Sequence, residues 1–343
     1  MSNQISLIKK ILNYLQKRYE NIESNNEIID LQKLDLLTPP MVLAQINRIW
    51  DNYWNLNINH GGGGQIPCLY KYDIRTKDTK SPLNPWAFIR VKNEEQTLQA
   101  SLDSILPAIQ RGVIGYNDCT DNSEAIILDF CKRYPSFIPL KYPYEVMLEN
   151  PKHENNKLHN YYRFVLKAIP KNEWFIKIDV DHIYDAKILF QTFYIPKTAK
   201  HAVVYPRINF ILNKEYNQIY IQNNGINGFI QGYDQLLVCN RNVDFTERKT
   251  SKAAQWIDNA KHENTLYSEQ QILPKLIYHH APLMQWHFPA MKQRRLDFIK
   301  HLDLISLETF KHYNKHLIES RIPSFMLNAN FISALYKQFN IKE

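Results

Sequence analysis

Trp174-Phe175-Ile176-Lys177-Ile178-Asp179-Val180-Asp181-His182 decides the reading of this chain: an apolar run that ends on two carboxylates one residue apart. A short, mostly apolar run suits a buried strand, and the open edge of an α/β sheet presents the last residues of its strands to a ligand crevice. Asp179 and Asp181 at such an edge can share a divalent ion directly or through water. Oxygen donors suit Mg²⁺ or Mn²⁺, and the imidazole of His182 beside them favours Mn²⁺. Asp-X-Asp also arises by chance, and the same residues can end a solvated strand or cap a helix. The apolar run in front of them gives the metal reading its weight.

The composition sets limits. With 343 residues, 44% of them hydrophobic, the chain can bury a full core, as one large domain with appendages or as two domains. No apolar run reaches the length of about 18 residues that crosses a bilayer, and the opening Met1-Ser2-Asn3-Gln4-Ile5 has no signal-peptide pattern. The expectation is a cytoplasmic protein that does not span a membrane. Cys68, Cys119, Cys131 and Cys239 are scattered, which fits reduced thiols rather than a zinc knuckle or a disulfide framework. The net charge of +8 implies an anionic partner of some kind. A nucleic acid is not expected, because no helix-turn-helix, zinc finger or aromatic β-platform is recognisable. Part of the excess charge lies in Lys292, Arg294, Arg295 and Lys300, after Trp286-His287-Phe288-Pro289.

The apolar pattern divides the chain in three. In residues 1–80, Ile8, Ile11, Leu12 and Leu15 recur at helical spacing, and Met41 to Trp54 is a second helical candidate. His60-Gly61-Gly62-Gly63-Gly64 lacks the ending and the preceding strand of a phosphate loop and reads as a hinge; Tyr72 to Pro85 reads as a linker. Residues 81–290 alternate strand and helix. The strand Trp86-Ala87-Phe88-Ile89-Arg90-Val91 precedes Asn93 and Gln96 at capping-box spacing, then a helix with Leu98, Leu102, Ile105, Leu106 and Ile109 on one face. The strand Gly112-Val113-Ile114-Gly115-Tyr116 precedes Asp121 and Glu124 at the same spacing, then a helix burying Ile126, Ile127, Phe130 and Cys131. A third helix, carrying Leu158, Tyr161, Tyr162, Val165, Leu166 and Ile169, leads into the Asp179 strand. This alternation predicts an α/β fold with a parallel sheet and crossover helices. Residues 291–343 read as a basic helical segment, with Ile318, Phe325, Phe331, Leu335, Tyr336 and Phe339 among Lys311, Lys315, Arg321 and Lys337. It either packs on the α/β body or rests on anionic headgroups.

Polar residues at three successive strand ends carry a family resemblance. Ile89-Arg90-Val91-Lys92-Asn93-Glu94-Glu95, Asn117-Asp118-Cys119-Thr120-Asp121 and Asp179-Val180-Asp181 resemble the nucleotide-sugar-binding half of a GT-A glycosyltransferase. The longer stretches from Ser81 to Glu94, Gly112 to Asp121 and Ile176 to Lys187 are similar to the bacterial β-1,4-N-acetylgalactosaminyltransferases that build ganglioside-like lipooligosaccharide outer cores. The similarity continues through Asp234-Gln235-Leu236-Leu237-Val238, Glu269-Gln270 and His287-Phe288-Pro289, and does not include the first 70 residues.

The resemblance implies a GT-A, Rossmann-like nucleotide-sugar-binding fold with helical N- and C-terminal extensions. It implies UDP-GalNAc as donor, Mn²⁺ or Mg²⁺ as cofactor, and as acceptor a sialylated galactose of a lipid-linked oligosaccharide. The basic C-terminal segment would then touch the cytoplasmic face of the inner membrane. By the same resemblance Arg90, Asn93, Glu94 and Asp118 surround the nucleoside, and Lys157 faces the diphosphate. Asp181 binds the metal directly, Asp179 contacts ribose or the metal through water, and His287 is a later ligand with His279 and His280 as alternatives. An inverting transfer also needs a base for the acceptor hydroxyl. Glu269, expected at the start of a helix, fills that role, with Asp234 and Glu263 as alternatives. Ordinary structural roles stand beside these: a helix cap for Asn93, an ion pair for Arg90, a solvated Lys157, a buried and satisfied His287, a helix N-terminal charge for Glu263. The rival activities are a hexosyltransferase using UDP-GlcNAc or UDP-galactose, a metal-dependent nucleotidyltransferase, and a polyanion-binding protein without catalysis.

Overall fold

The computed structural model describes residues 26–57, 65–213, 218–250, 265–291 and 301–339. The helix expected around Ile8 to Leu15, the glycine run after His60, Glu263, and the basic residues Lys292, Arg294, Arg295 and Lys300 lie outside the described residues.

In chain order the strands are β1 (Asn26–Ile28), β2 (Trp86–Val91), β3 (Arg111–Tyr116), β4 (Phe137–Lys141), β5 (Trp174–Ile178), β6 (His182–Tyr184), β7 (His201–Val204) and β8 (Phe210–Asn213). They continue as β9 (Gln218–Gln222), β10 (Leu236–Cys239), β11 (Asp244–Thr250), β12 (Leu266–Ile272), β13 (Ile277–His280), β14 (Gln285–His287) and β15 (Leu304–Ser306). The α-helices are α1 (Leu31–Leu37), α2 (Pro40–Asn57), α3 (Leu98–Ile105), α4 (Ser123–Arg133), α5 (Leu158–Leu166), α6 (Ala186–Thr192), α7 (Leu307–Tyr313) and α8 (Ala329–Tyr336).

An eight-stranded sheet in the order β1-β13-β7-β10-β5-β2-β3-β4 forms the centre. Its neighbours pair in parallel except at β10, which runs antiparallel to β5 and β7. Strands covered on both faces must be apolar at nearly every position. In β2, Ala87, Ile89 and Val91 enter one core layer and Phe88 the other; in β5, Trp174, Ile176 and Ile178 oppose Phe175. Ile89 registers with both Ile114 and Ile178, so β2 and β3 end level at Val91 and Tyr116 and β5 ends two residues earlier. The segments after them therefore leave the sheet along one edge. An antiparallel strand begins where its parallel neighbours end, so β10 brings Asp234 and Gln235 to that edge too.

The expected strand-helix alternation forms, but with different helix starts. The N-cap of α3 is Thr97 and that of α4 is Asn122, neither with a side-chain cap bond. Asn93 instead adopts a positive φ of 54° and bridges to the next loop, its Oδ1 accepting from the Thr120 N–H at 2.8 Å. Asp121 accepts from the Glu95 and Ser123 N–H groups. These side chains tie two strand-end loops together rather than capping helices.

In the segment expected as a helical extension, the described residues open on β1, a short strand paired with β13 at the sheet edge. The stretch read as a linker is ordered: Asp73 and Thr76 are buried, and Asp73 accepts from the Arg75 guanidinium at 2.6 Å and the Tyr194 hydroxyl at 3.0 Å. The C-terminal helices pack on the body. Phe310, Met326, Leu327, Ile332, Leu335 and Phe339 share a core with Trp286 and Phe288, and the Trp286 indole N–H donates to the Met326 carbonyl at 2.9 Å. They thereby brace β14, the strand that carries His287. Among the described residues no helix is long and apolar enough to cross a membrane.

Candidate functional site

The C-terminal edge of the sheet opens into a cleft of about 830 Å³. Its walls include Arg90 in β2 and Glu94 after it, Asn117 after β3, Asp179 to His182 after β5, and Asp234 before β10. The hairpin β11–β12 closes the far side with Arg248, Ser268 and Glu269. A volume of this size accommodates a sugar nucleotide.

The metal-type ligands come from two short paired strands. β6 and β14 run antiparallel with His182 directly opposite His287, which places both rings on the same face. They stack 4.1 Å apart, 5° from parallel. The Asp181 carbonyl accepts from the Phe288 N–H at 3.0 Å and fixes the turn between β5 and β6 against β14. Asp181 Oδ1 then lies 3.1 Å from His182 Nδ1, and its Oδ2 lies 3.1 Å from His287 Nε2. One donor atom from each of the three falls within 4.8 Å of the others, and all three residues are buried.

Burial, reinforced by His182 and Arg207 and opposed by Asp181, pushes the His287 imidazole down to about 3. The ring is therefore neutral and has one N–H to give. Asn209 Oδ1 takes it from Nδ1 at 2.6 Å. That leaves the Nε2 lone pair facing the lone pairs of a carboxylate oxygen, an arrangement that a cation relieves. One carboxylate and two imidazoles fit Mn²⁺ or a similar divalent ion.

Asp179 stands apart from this trio. Burial alone would raise its carboxyl, but Lys177, with help from His182 and Arg90, holds it well below the usual carboxylate range. Lys177 Nζ lies 3.6 Å from Asp179 and the Gln235 amide donates to Asp179 at 3.0 Å. Asp179 thus faces Lys177 and Gln235, while His182 joins Asp181 and His287. Asp234 sits between two cations, 2.5 Å from Lys177 and 3.3 Å from Arg207. Burial opposes its ionisation, but Lys177 and Arg207 prevail and lower its pKa.

Other expected residues fall in distinct places. Arg90 lines the cleft and stacks its guanidinium over Tyr162, 3.3 Å from the ring centroid. Glu94 is buried in the cleft wall, its backbone N–H donating to Ser123 Oγ. Asp118, at a φ of 42°, lies 3.5 Å from Lys92 at the end of β3. Lys157 is held 2.6 Å from both Glu154 and Glu247, so its charge is committed to carboxylates. Glu269 lines the cleft but lies within strand β12, opposite Glu247, not at the start of a helix. The helical expectation fails although Ser268 and Gln271 stand at capping-box spacing: pairing of Leu266–Ile272 with β11 satisfies the backbone, and the Ser268 hydroxyl donates to the Arg248 carbonyl across the ladder instead of capping a turn. His279 bonds to His201 at 2.7 Å and lies 2.7 Å from Glu27, and neither it nor His280 is among the cleft-lining residues. The site also uses residues that sequence reasoning missed: Lys177, Arg207, Asn209 and Gln235. Lys177 and Gln235 lie inside stretches already quoted, but nothing local marks Arg207 or Asn209.

The sequence profile of a family described as "Beta-1,4-N-acetylgalactosaminyltransferase (CgtA)" matches residues 6–340. No curated protein matches the sequence significantly. Among solved structures, the chain is similar to a mannosyltransferase, PcManGT, from Pyrobaculum calidifontis in complex with GDP-Man and Mn²⁺. The two are 12% identical over 54% of this chain and 49% of that one, with a TM-score of 0.27. The alignment thus spans about half the length of the mannosyltransferase. An inositol-1-phosphate CTP transferase from T. maritima is 9% identical over 46% of this chain and 72% of that one, with a TM-score of 0.27. HddC from Yersinia pseudotuberculosis is 12% identical over 65% of this chain and 84% of that one, with a TM-score of 0.28.

Proposed function

The chain belongs to the β-1,4-N-acetylgalactosaminyltransferase (CgtA) family of glycosyltransferases, and from that premise we propose that it moves GalNAc from UDP-GalNAc to O4 of a sialylated galactose in a lipooligosaccharide outer core. The observation that carries this reading is the trio Asp181, His182 and His287 on the wall of a sugar-nucleotide-sized cleft. Asp181 and His287 would hold a divalent ion with His182 in reach, and a bound ion would neutralise the departing diphosphate. In this proposal Arg90, Glu94 and Asp179 meet the nucleotide from the cleft wall, where Lys177 and Arg207 also lie, and Asn93 and Asp118 reach it from the loops after β2 and β3.

A β-linkage made from an α-linked donor inverts the anomeric carbon in a single displacement. The acceptor oxygen bonds to C1 as the bond from C1 to the diphosphate oxygen breaks, and a carboxylate accepts the hydroxyl proton. Asp234, neutralised by two cations, is a poor proton acceptor. Glu269, across the cleft on β12, is the base in this proposal. The acceptor is lipid-linked and the enzyme works in the cytoplasm; because most apolar side chains of the C-terminal segment are in the core, contact with the inner membrane would fall to its exposed Lys315 and Lys337.

The test is UDP release from UDP-GalNAc, UDP-GlcNAc and UDP-galactose, with Mn²⁺ or EDTA and a sialyl-galactoside acceptor. Acceptor- and metal-dependent release from UDP-GalNAc alone supports the proposal. Turnover of another UDP-sugar reassigns the donor, and pyrophosphate release with a sugar phosphate makes it a nucleotidyltransferase.

A further inference from the structure

Asn209 lies behind His287, just before β8, and is 1% exposed. Its Oδ1 accepts from His287 Nδ1 at 2.6 Å while its Nδ2 donates to Gln222 Oε1 at 2.7 Å. The backbone fixes the same neighbours: Asn209 and His287 form a parallel bridge, and the Gln222 N–H donates to the Asn209 carbonyl at 3.1 Å. A side-chain amide is polar at both ends, so which end meets the imidazole decides which ring nitrogen keeps the proton. Here the oxygen meets Nδ1, and Gln222 holds the NH₂ end on the other side. The Nε2 lone pair is then aimed at Asp181 Oδ2, 3.1 Å away. Turned the other way, the amide would leave a proton on Nε2, pointing at the place a cation needs.

We propose that Asn209, held by Gln222, is a positioning residue that selects the Nδ1–H tautomer of His287 and so prepares Nε2 to bind a divalent ion together with Asp181. This rests on the reading of Asp181 and His287 as the metal site. Outer partners of metal-bound histidines fix ring orientation and tautomer, and their loss weakens metal binding by about 10- to 100-fold.

The test uses the full chain, with Mn²⁺ alone as the probe. ¹⁵N chemical shifts of the His287 ring in the metal-free protein report the tautomer, and calorimetric titration gives the Mn²⁺ Kd without nucleotide. Asn209→Leu keeps the approximate volume and removes the acceptor; Asn209→Asp retains an acceptor oxygen. The expected results are an Nδ1–H tautomer in the unmodified protein, a Kd about 10- to 100-fold weaker in Asn209→Leu, and recovery of most of that loss in Asn209→Asp. An Nε2–H tautomer in the unmodified protein overturns the proposal whether or not the leucine variant folds. So does a folded Asn209→Leu that binds Mn²⁺ as the unmodified protein does. An unmodified protein that binds no Mn²⁺ overturns the metal reading itself, and the inference with it.

Discussion

Replacing Lys177 with methionine keeps the length of the side chain and removes its charge. Its Nζ lies 3.6 Å from Asp179 and 2.5 Å from Asp234, and the side chain is only 12% exposed. At an effective dielectric of about 20, unit charges about 4 Å apart attract by about 4 kcal/mol before desolvation is subtracted. Asp234 is 49% exposed, so its pairing is screened and adds at most about 1 kcal/mol. Asp179, at 24%, keeps more of the attraction. The net cost of Lys177→Met then falls between that of an exposed pair and that of a broken buried pair, at about 2–3 kcal/mol. The pH dependence follows from sign. Despite burial, Lys177 depresses both carboxyls in the folded protein, so they contribute stability above the unfolded carboxylate value of about 4 that is lost as pH falls through their lower folded values. Without the lysine both carboxyls rise from those values, burial being opposed only by Arg207 at Asp234 and by His182 and Arg90 at Asp179, and the resulting deficit is full at neutral pH and shrinks as pH falls toward the higher values. Urea denaturation of both proteins at neutral pH and at about pH 5 should show the gap narrowing on acidification. A neutral-pH deficit under about 0.5 kcal/mol, no more than an exposed pair is worth, or a gap that widens in acid, would refute the reasoning.

The other predictions concern separate parts of the site. Glu269→Gln should retain UDP binding and lower kcat by about 10²- to 10⁴-fold, as loss of a general base does; near-normal turnover would reassign the base. Gly115→Ala would place a Cβ 2.3 Å from Val165 and 3.2 Å from Tyr161, pushing α5 off the sheet at a cost of about 1–3 kcal/mol in a denaturation measurement. Mn²⁺ at about 100 times its Kd should stabilise the protein by about 2.7 kcal/mol. Differential scanning fluorimetry should show that gain as a raised Tm, abolished by EDTA and absent in Asp181→Asn.

The parts of the fold legible in the sequence were those where burial leaves a long apolar signature. β2, β3 and β5 sit between two core layers, so their runs are continuous, and the stripes of α3, α4 and α5 are amphipathic because they cover a single face. Asn93 and Asp121 misled because the residue types that cap helices also bridge loops; only the three-dimensional approach of the β2 and β3 ends distinguishes the two. β1 is three residues long, too short for any periodicity, and owes its strand geometry to β13. Asp181 could be singled out because strand direction predicts where a strand end points. Its partnership with His287 depends on β6 pairing with β14 across about a hundred residues of chain, which no local pattern encodes. Asn209 is further still from legibility, since its role exists only once His287 is in place.

Calorimetric titration of UDP into the unmodified protein and into Asp181→Ala, each with Mn²⁺ and with EDTA, tests most directly whether this cleft is a metal-dependent UDP site. The account predicts tight binding only for the unmodified protein with Mn²⁺. Equal UDP binding in EDTA, or undiminished Mn²⁺-dependent binding by Asp181→Ala, would contradict it.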